Sequence, residues 1–426
     1  MPRAARVLYA PLFAAAVASA AACSGGSTSA VAPVSAGATA SPQFPGAGPG
    51  QPTPGPGQSP APPTPTATAT ASATPRPGPT ATPPSGPAPT PTPAPVVTVT
   101  PGAAVGRLGS YHVTPQRIFV AGISAGGFLG VQMHVAHSGV FQGAAIYAGG
   151  VYHCAQDSVE LALVECGGET VAGQALYQNT LAQSEAYLDQ QSAAGTIDPS
   201  TRLQGQPVYL WSGTRDSVVN PKEMADLSAE YQHYGARVTF DSTFAAEHGW
   251  ESPDGELPCG TVASPYMIAC AQNGAVYDSE KTWLTLFLGD LAPRNNGALR
   301  GSLMRFDQTE FGASAGNSMD ANGTVFVPQP CAAGAACSFV VVFHGCHQGH
   351  GEIGDRFVTE SGIDAWADTN NLIVLYPYAV PAPGPFPYNP NGCWDWWGYD
   401  DPNYSLKSGT QMSIVYRMVQ RVTGAP

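Results

Sequence analysis

The stretch Arg117–Gly130, RIFVAGISAGGFLG, decides the fold. Four apolar residues, Ile118-Phe119-Val120-Ala121, read as a short buried strand. The strand ends in Gly122-Ile123-Ser124-Ala125-Gly126, which fits G-x-S-x-G. Helical spacing follows, with Phe128, Val131 and Val135 on one face and Gly139 as the expected stop. Strand, sharp turn and helix is the context a nucleophile elbow requires. The turn must lift a serine hydroxyl above the sheet, and a side chain at Gly122 or Gly126 would collide with the neighbouring strand and helix. Ser124 is therefore the candidate nucleophile. In a chain with 49 glycines the motif alone carries little weight, and its flanks supply the rest.

Upstream of this stretch the chain has a different character. Residues 1–22 read as an export signal, with Arg3 and Arg6 at a positive end and an apolar, small-residue-rich run from Val7 to Ala22. The run is too short and too rich in alanine for a permanent membrane span. It ends at Ala20-Ala21-Ala22-Cys23, which resembles a lipoprotein processing site with Cys23 as the lipidated residue, although Ala20 stands where a larger aliphatic residue is usual. Simple cleavage near Ala22 is the alternative. Residues 23–100 are Pro, Thr, Ala, Ser and Gly with almost no large apolar side chain. Such a segment has too little apolar surface to offset its ordering entropy and is expected to be an extended spacer.

Residues 101–426 have the composition of one folded domain. The first 100 positions hold three of the 17 basic residues and no acidic one, so the domain carries 14 basic and 30 acidic side chains, a net charge of −16. That excludes nucleic acid and anionic membrane surfaces as expected partners and suits a neutral substrate. Apart from Cys23, eight cysteines remain, an even number that favours disulfides in an exported chain. Local spacing suggests Cys154–Cys166, Cys259–Cys270 and Cys331–Cys337, leaving Cys346–Cys393 as a long-range bridge. Zinc would be the alternative use, but no C-x-x-C is present.

Strands are expected at 141–147, 207–211, 237–240, 303–306, 324–327, 338–343 and 372–376. Helices are expected around 173–191, 220–235, 279–288 and 409–422. The 220–235 helix opens on Asn220-Pro221 and buries Met224, Leu227 and Tyr231. The 279–288 helix is expected to bury Trp283, Leu286 and Phe287, and the last one Met412, Val415 and Val419. This alternation implies a mostly parallel sheet with helices on both faces.

A serine nucleophile needs a base, and the base needs an orienting carboxylate. Asp216 follows the 207–211 strand and precedes a capped helix, which fits the acid better than Asp226 inside that helix or Asp241 at the next strand end. His248, in a loop past the 237–240 strand, fits the base. The order Ser, acid, His is that of α/β-hydrolases. One oxyanion donor should be the Ala125 N–H. The second normally comes from a His-Gly loop after an apolar strand, and that pattern, Phe339–Phe343 followed by His344-Gly345-Cys346, occurs here after the triad instead of before it. Moving 301–426 ahead of Arg117 restores the usual order. The expectation is a circularly permuted, disulfide-stabilised α/β-hydrolase fold with Cys346 N–H as second donor. The cluster His344, His347, His350, Glu352 and Asp355 invites a metal reading, but a Gly-rich loop above the sheet is the simpler account, so neither metal nor cofactor is assigned.

With these residues in hand, 111–426 resembles the single-domain, circularly permuted extracellular poly(3-hydroxybutyrate) depolymerases. The matching stretches are 122–127, 148–155, Trp211-Ser212-Gly213 with Asp216, His344-Gly345-Cys346, 367–371 and 389–396. The resemblance implies the triad Ser124, Asp216 and His248, donors at Ala125 and Cys346, and the same four disulfides. It implies a neutral polyester as substrate and points to Trp396, with Asn391 nearby, as substrate-binding. Trp394 in the same CWDWWGY segment is included, because tryptophan offers a flat apolar wall with one N–H. The sequence departs from the pattern at His347, where the family loop is usually apolar, and no separate polymer-binding domain is visible. The expected protein is an exported or cell-surface monomer, with Cys23 as its only membrane attachment. An esterase for feruloyl, acetyl or tannin esters, or a catalytically dead surface-tethered binding protein, are the competing readings.

Overall fold

The computed structural model describes residues 105–425 apart from 168–169, 172–173 and 176–180. The expected export signal, Cys23 and the whole of the spacer lie outside the described residues.

Eight strands form one sheet: β1 (Val113–Ile123), β2 (Ala144–Tyr147), β3 (Pro207–Trp211), β4 (Arg237–Asp241), β5 (Ser302–Asp307), β6 (Asn322–Val327), β7 (Cys337–Phe343) and β8 (Leu372–Tyr376). Their spatial order is β5-β6-β8-β7-β1-β2-β3-β4. The pairs from β8 through β4 are parallel, whereas β6 runs antiparallel to both β5 and β8. The long helices are α1 (Ala125–Ala136), α2 (Leu181–Ala194), α3 (Pro221–His233), α4 (Ser279–Leu288), α5 (Ile363–Asn370) and α6 (Thr410–Thr423).

The central strands are apolar without interruption because both faces are covered. Side chains alternate across the pleat, so one strand feeds two cores. Ile118 and Val120 of β1 join Val341 and Phe343 of β7 against α1, α3 and α6. Phe119, Ala121 and Ile123 join Val340 and Val342 against α4 and α5. Fully burying side chains of this size contributes roughly 1.5–3 kcal/mol each, so these two cores dominate the stability of the fold.

Three local expectations are corrected. Helix α1 ends at Ala136, ahead of the expected stop at Gly139, while Phe128, Val131 and Val135 are buried together with every other residue from Ala125 to Ala136. In α4, Leu284 is buried in place of Leu286, which is exposed. Turning 100° per residue from Trp283 brings Leu284 and Phe287 to the sheet and Leu286 to solvent. The helix expected around 173–191 is described over Leu181–Ala194, while Gln174–Ala175 is a short strand and 176–180 lie outside the described residues. Helix α3 keeps its forecast form, with the Asn220 side chain accepting from Lys222 N–H at 3.0 Å and Met224, Leu227 and Tyr231 buried.

The permutation has a physical signature. The N–H of Tyr111, just before β1, donates to the carbonyl of Val422 in α6 at 2.9 Å. The start of β1 and the end of α6 therefore meet. The segment that follows α4 into β5 is held at its other end, where Asp368 accepts N–H groups of Arg300 and Gly301. Counted from β5 onward and then from β1, the sheet order becomes 1-2-4-3-5-6-7-8, a regular winding with one crossover. All four expected disulfides are formed, Cys154–Cys166, Cys259–Cys270, Cys331–Cys337 and Cys346–Cys393.

Candidate active site

The loops that follow β1, β3, β4 and β7 emerge at the same edge of the sheet, because these strands are parallel. Ser124 forms the turn after β1 with φ 56° and ψ −126°, a region that few residues other than glycine adopt. Its N–H donates to Tyr147 of β2 and its carbonyl accepts from Phe128 N–H, so the backbone is fixed on both sides. The hydroxyl makes no capping bond to α1. The turn closes only because of its glycines. A methyl at Gly122 would overlap the Gly126 carbonyl, and one at Gly126 would overlap the carbonyls of Phe343 and His344.

Asp216 and His248 come together from adjacent loops. The turn after β3 is stitched to the loop after β4 by Ser212 N–H to Asp241, Thr214 N–H to Phe244 and Arg215 N–H to Ala246. Gly213 lies against the Ala246 carbonyl with no room for a side chain. This alignment sets His248 Nδ1 2.9 Å from Asp216 Oδ2 and 3.2 Å from Oδ1, with both residues buried. Asp216 Oδ1 also accepts the N–H groups of Val218 and Val219, which holds the carboxylate in place. A carboxylate only accepts, so Nδ1 carries the proton and Nε2 is the ring's free acceptor. On either side of His248, Glu247 N–H donates to Cys259 and Trp250 N–H to Tyr266, which ties the loop to the segment closed by the Cys259–Cys270 disulfide.

The His344-Gly345-Cys346 turn after β7 packs directly on the elbow. A methyl on Gly345 would come 3.1 Å from Ser124 Cβ and 2.9 Å from Gln348 Oε1. His344 is wholly buried. Its Nδ1 lies 2.7 Å from the Gly345 carbonyl, and its Nε2 accepts the Ala379 N–H at 3.1 Å. These partners require a neutral ring with the proton on Nδ1, and burial pushes its pKa down to about 4. A trans peptide points its C=O and N–H in opposite directions. Holding the Gly345 carbonyl toward His344 therefore turns the Cys346 N–H the other way. Among the described residues, neither the Cys346 nor the Ala125 N–H donates to a protein acceptor.

The aromatic segment divides. Trp394 is fully buried, edge-on to Phe343 and beside His344. It has no face left for a ligand, and the expectation that it binds substrate is corrected: it is core under the turn. Trp396 stacks on Phe128 at the start of α1, with ring centroids 4.0 Å apart and a small exposed fraction. Asn391 accepts the His347 N–H through its carbonyl at 2.8 Å, and Cys393 is bonded to Cys346, so the segment is fixed beside the turn. Asp395 organises it from within, accepting N–H groups of Gly398, Tyr399, Asp400 and Asp401.

The charged residues of the turn pair with one another. His347 Nδ1 lies 2.9 Å from Glu352, and His350 Nε2 lies 3.3 Å from Asp355 and 2.5 Å from Arg305. Among the described residues, no group of three or more His, Cys, Asp or Glu side chains is disposed to hold a metal.

Comparison with known proteins narrows the family. Residues 104–257, which contain the elbow, Asp216 and His248, match the model of the prolyl oligopeptidase family. A polyhydroxybutyrate depolymerase of Talaromyces funiculosus is 33% identical over 329 residues, covering 74% of this chain and 92% of the relative. The chain belongs to the polyhydroxybutyrate depolymerase family. A second member, a poly(3-hydroxybutyrate) depolymerase of Delftia acidovorans, is 39% identical over 311 residues. The match covers 71% of this chain but only 59% of that depolymerase's length. Among solved structures, the depolymerase from Penicillium funiculosum is similar with TM-score 0.65 and 32% identity, covering 75% of this chain and 99% of its own. A serine-to-alanine variant of a PHB depolymerase, complexed with an R3HB trimer, gives TM-score 0.66 at 31% identity, covering 75% and 99%. The mostly parallel sheet with helices on both faces read from the sequence is the fold this chain shares with the solved depolymerases.

Residues that pattern reading missed are Gln348 and Tyr266. Both act through contacts with segments some 80 positions away, which no local spacing reveals.

Proposed function

We propose that this protein hydrolyses the ester bonds of poly(3-hydroxybutyrate) or a closely related polyhydroxyalkanoate through an acyl-enzyme on Ser124. The observation that carries the reading is the meeting of the Ser124 elbow with Gly345, where His344 fixes the peptide that bears the Cys346 N–H. The names of the relatives supply the substrate class.

In this mechanism the Nε2 of His248 takes the Ser124 proton as Oγ bonds to the ester carbonyl carbon. The oxyanion is received by the N–H groups of Ala125 and Cys346. Collapse breaks the bond to the leaving alkoxide, which takes the proton from His248. Water then repeats the sequence, giving its proton to His248 and its oxygen to the acyl carbon, and Ser124 is released as the hydroxyl. Asp216 keeps the proton on Nδ1 and stabilises the imidazolium. Trp396 supplies an apolar wall for an uncharged chain, with Asn391 alongside.

Export is part of the proposal. Four disulfides suit an oxidising compartment. Lipid attachment at Cys23 is tested by mass spectrometry of the mature N-terminus. The activity is tested by clearing of polymer films: wild type clears, Ser124→Ala does not, and equal clearing by both ends the proposal.

A further inference from the structure

We infer that Gln348 is a positioning residue for ester hydrolysis, a strut that sets the oxyanion turn against the loop carrying His248. This rests on the active-site reading above, in which Cys346 N–H receives the oxyanion.

Gln348 is 1% exposed, and both ends of its amide are used. Its Oε1 accepts the Gly345 N–H at 2.7 Å. Its Nε2 donates to the Pro265 carbonyl at 2.8 Å, with the Tyr266 carbonyl at 3.4 Å and Met267 Sδ at 3.5 Å. The two ends therefore serve different loops. Gly345 adjoins Ser124 and the Cys346 N–H. Tyr266 receives the Trp250 N–H through its carbonyl, and its ring stands edge-on to His248 at 6.4 Å. One buried side chain thus spans from the turn that would hold the oxyanion to the segment that flanks the base.

The strut also completes the anchoring of the two peptides that flank Gly345. Gly345 has a carbonyl taken by His344 and an N–H taken by Gln348. With both groups bound, the preceding and following peptide planes cannot rotate independently, and the Cys346 N–H keeps one direction. The Cys346–Cys393 bridge holds the Cys346 side chain but leaves this rotation free. A donor aimed in advance stabilises charge that develops only in the transition state, so its misorientation lowers kcat rather than ground-state binding.

Gln348→Met keeps the length and bulk of the side chain and removes both hydrogen-bonding ends. Gln348→Glu keeps an acceptor for Gly345 N–H and, when ionised, loses the donor to Pro265. Both are assayed on a soluble 3-hydroxybutyrate dimer ester, with kcat normalised to sites titrated by an irreversible phosphonate and with the low-field Nδ1 proton of His248 followed by NMR. The expected result is a fall in kcat per titrated site of twentyfold or more in Gln348→Met and a smaller fall in Gln348→Glu. KM stays within threefold, the low-field proton is retained, and affinity for a boronate forming a tetrahedral adduct drops in parallel with kcat/KM. A merely structural role would lower the melting temperature and the titrated fraction while leaving kcat per site intact. The inference is overturned if kcat per site stays within twofold of wild type in Gln348→Met, or in Gln348→Glu should the methionine variant not fold. Ser124→Ala is run alongside. If it keeps activity, the active-site reading fails and takes the strut with it; if it is dead while the Gln348 variants are unchanged, the strut alone fails.

Discussion

Gly126 packs its bare α-carbon against the carbonyl oxygen of His344, so closely that a methyl group would overlap it. This single approach brings the helix after Ser124 against the turn that holds the Cys346 N–H. Two segments more than 200 residues apart in the chain are thereby set at van der Waals distance.

Gly126→Ala must move one of these two segments. The expected cost is about 1–3 kcal/mol of stability, as for other overpacked sites. Activity should fall by roughly a hundredfold, the scale of losing one oxyanion donor. Chemical denaturation and ester hydrolysis measured on the same preparation check both.

Asp216→Asn keeps a side-chain oxygen for the Val218 and Val219 N–H groups but cannot hold the His248 proton on Nδ1. Turnover should drop by about 10³–10⁴-fold, with a melting temperature close to wild type. A drop below tenfold would remove Asp216 from the proposed mechanism.

The two tryptophans should separate. Trp394→Ala leaves a cavity under the turn and is expected to cost about 3–5 kcal/mol in unfolding free energy. Trp396→Ala should raise KM for hydroxybutyrate oligomers several-fold while turnover of a small ester stays within threefold. A Trp396 variant that binds oligomers like wild type would remove this ring from the substrate wall.

Glu230 gives a pH signature. Burial pushes its carboxyl up to about 7. One oxygen accepts the Tyr152 N–H, the other meets Ser184 Oγ, and that hydroxyl reaches the Tyr152 carbonyl at 2.5 Å. A protonated carboxyl closes this ring of bonds, and an ionised one does not. The folded state therefore holds a proton that the unfolded chain, titrating near 4.5, releases. Stability from this group is complete below that value and is lost as pH rises through 7, on the order of 3 kcal/mol in all. Glu230→Gln mimics the protonated form. The difference in stability between variant and wild type should move in the variant's favour between pH 5 and 8, as read by denaturant unfolding, and a constant difference refutes the assignment.

Reducing Cys346–Cys393, or replacing both cysteines by serine, opens a 47-residue loop. The loss of chain restriction corresponds to about 4 kcal/mol in the loop-entropy description. Activity should fall with it, because the bridge joins the turn to the segment bearing Trp396. Thermal unfolding and hydrolysis rates with and without the bridge provide the measurement.

What could be read from the sequence was whatever short-range pattern controls. The elbow, the Asn220-Pro221 start of α3 and the apolar β7 run depend on neighbours within a few positions, and each has a distinctive local form. The permuted order was legible because the His-Gly turn carries its own signature wherever it stands in the chain. The face of a residue was less legible. Trp394 and Trp396 are two positions apart and chemically identical, yet one is wholly buried beside Phe343 and the other keeps a small exposed fraction against Phe128, a difference set by tertiary contacts and not by local pattern. The three-stranded sheet of Trp250–Glu251, Leu257–Pro258 and Met267–Ala269 has strands too short to show a period. Helix α5 begins at Gly362 without a side-chain cap, so no start signal marks it.

The hydrogen bond from Tyr111 to Val422 has a practical meaning for rewiring the chain. It places the start of β1 beside the end of α6 at the foot of the sheet, while Ser124 stands at the head of β1, about 20 Å away by the six steps that β7 takes from Cys337 to Phe343 alongside it. A short linker from α6 to β1, with a new start opened ahead of β5, would return the strands to the usual order and put the splice on the floor of the molecule. Such a rewired chain should keep its cutting rate, because the splice lies a full strand length from the serine.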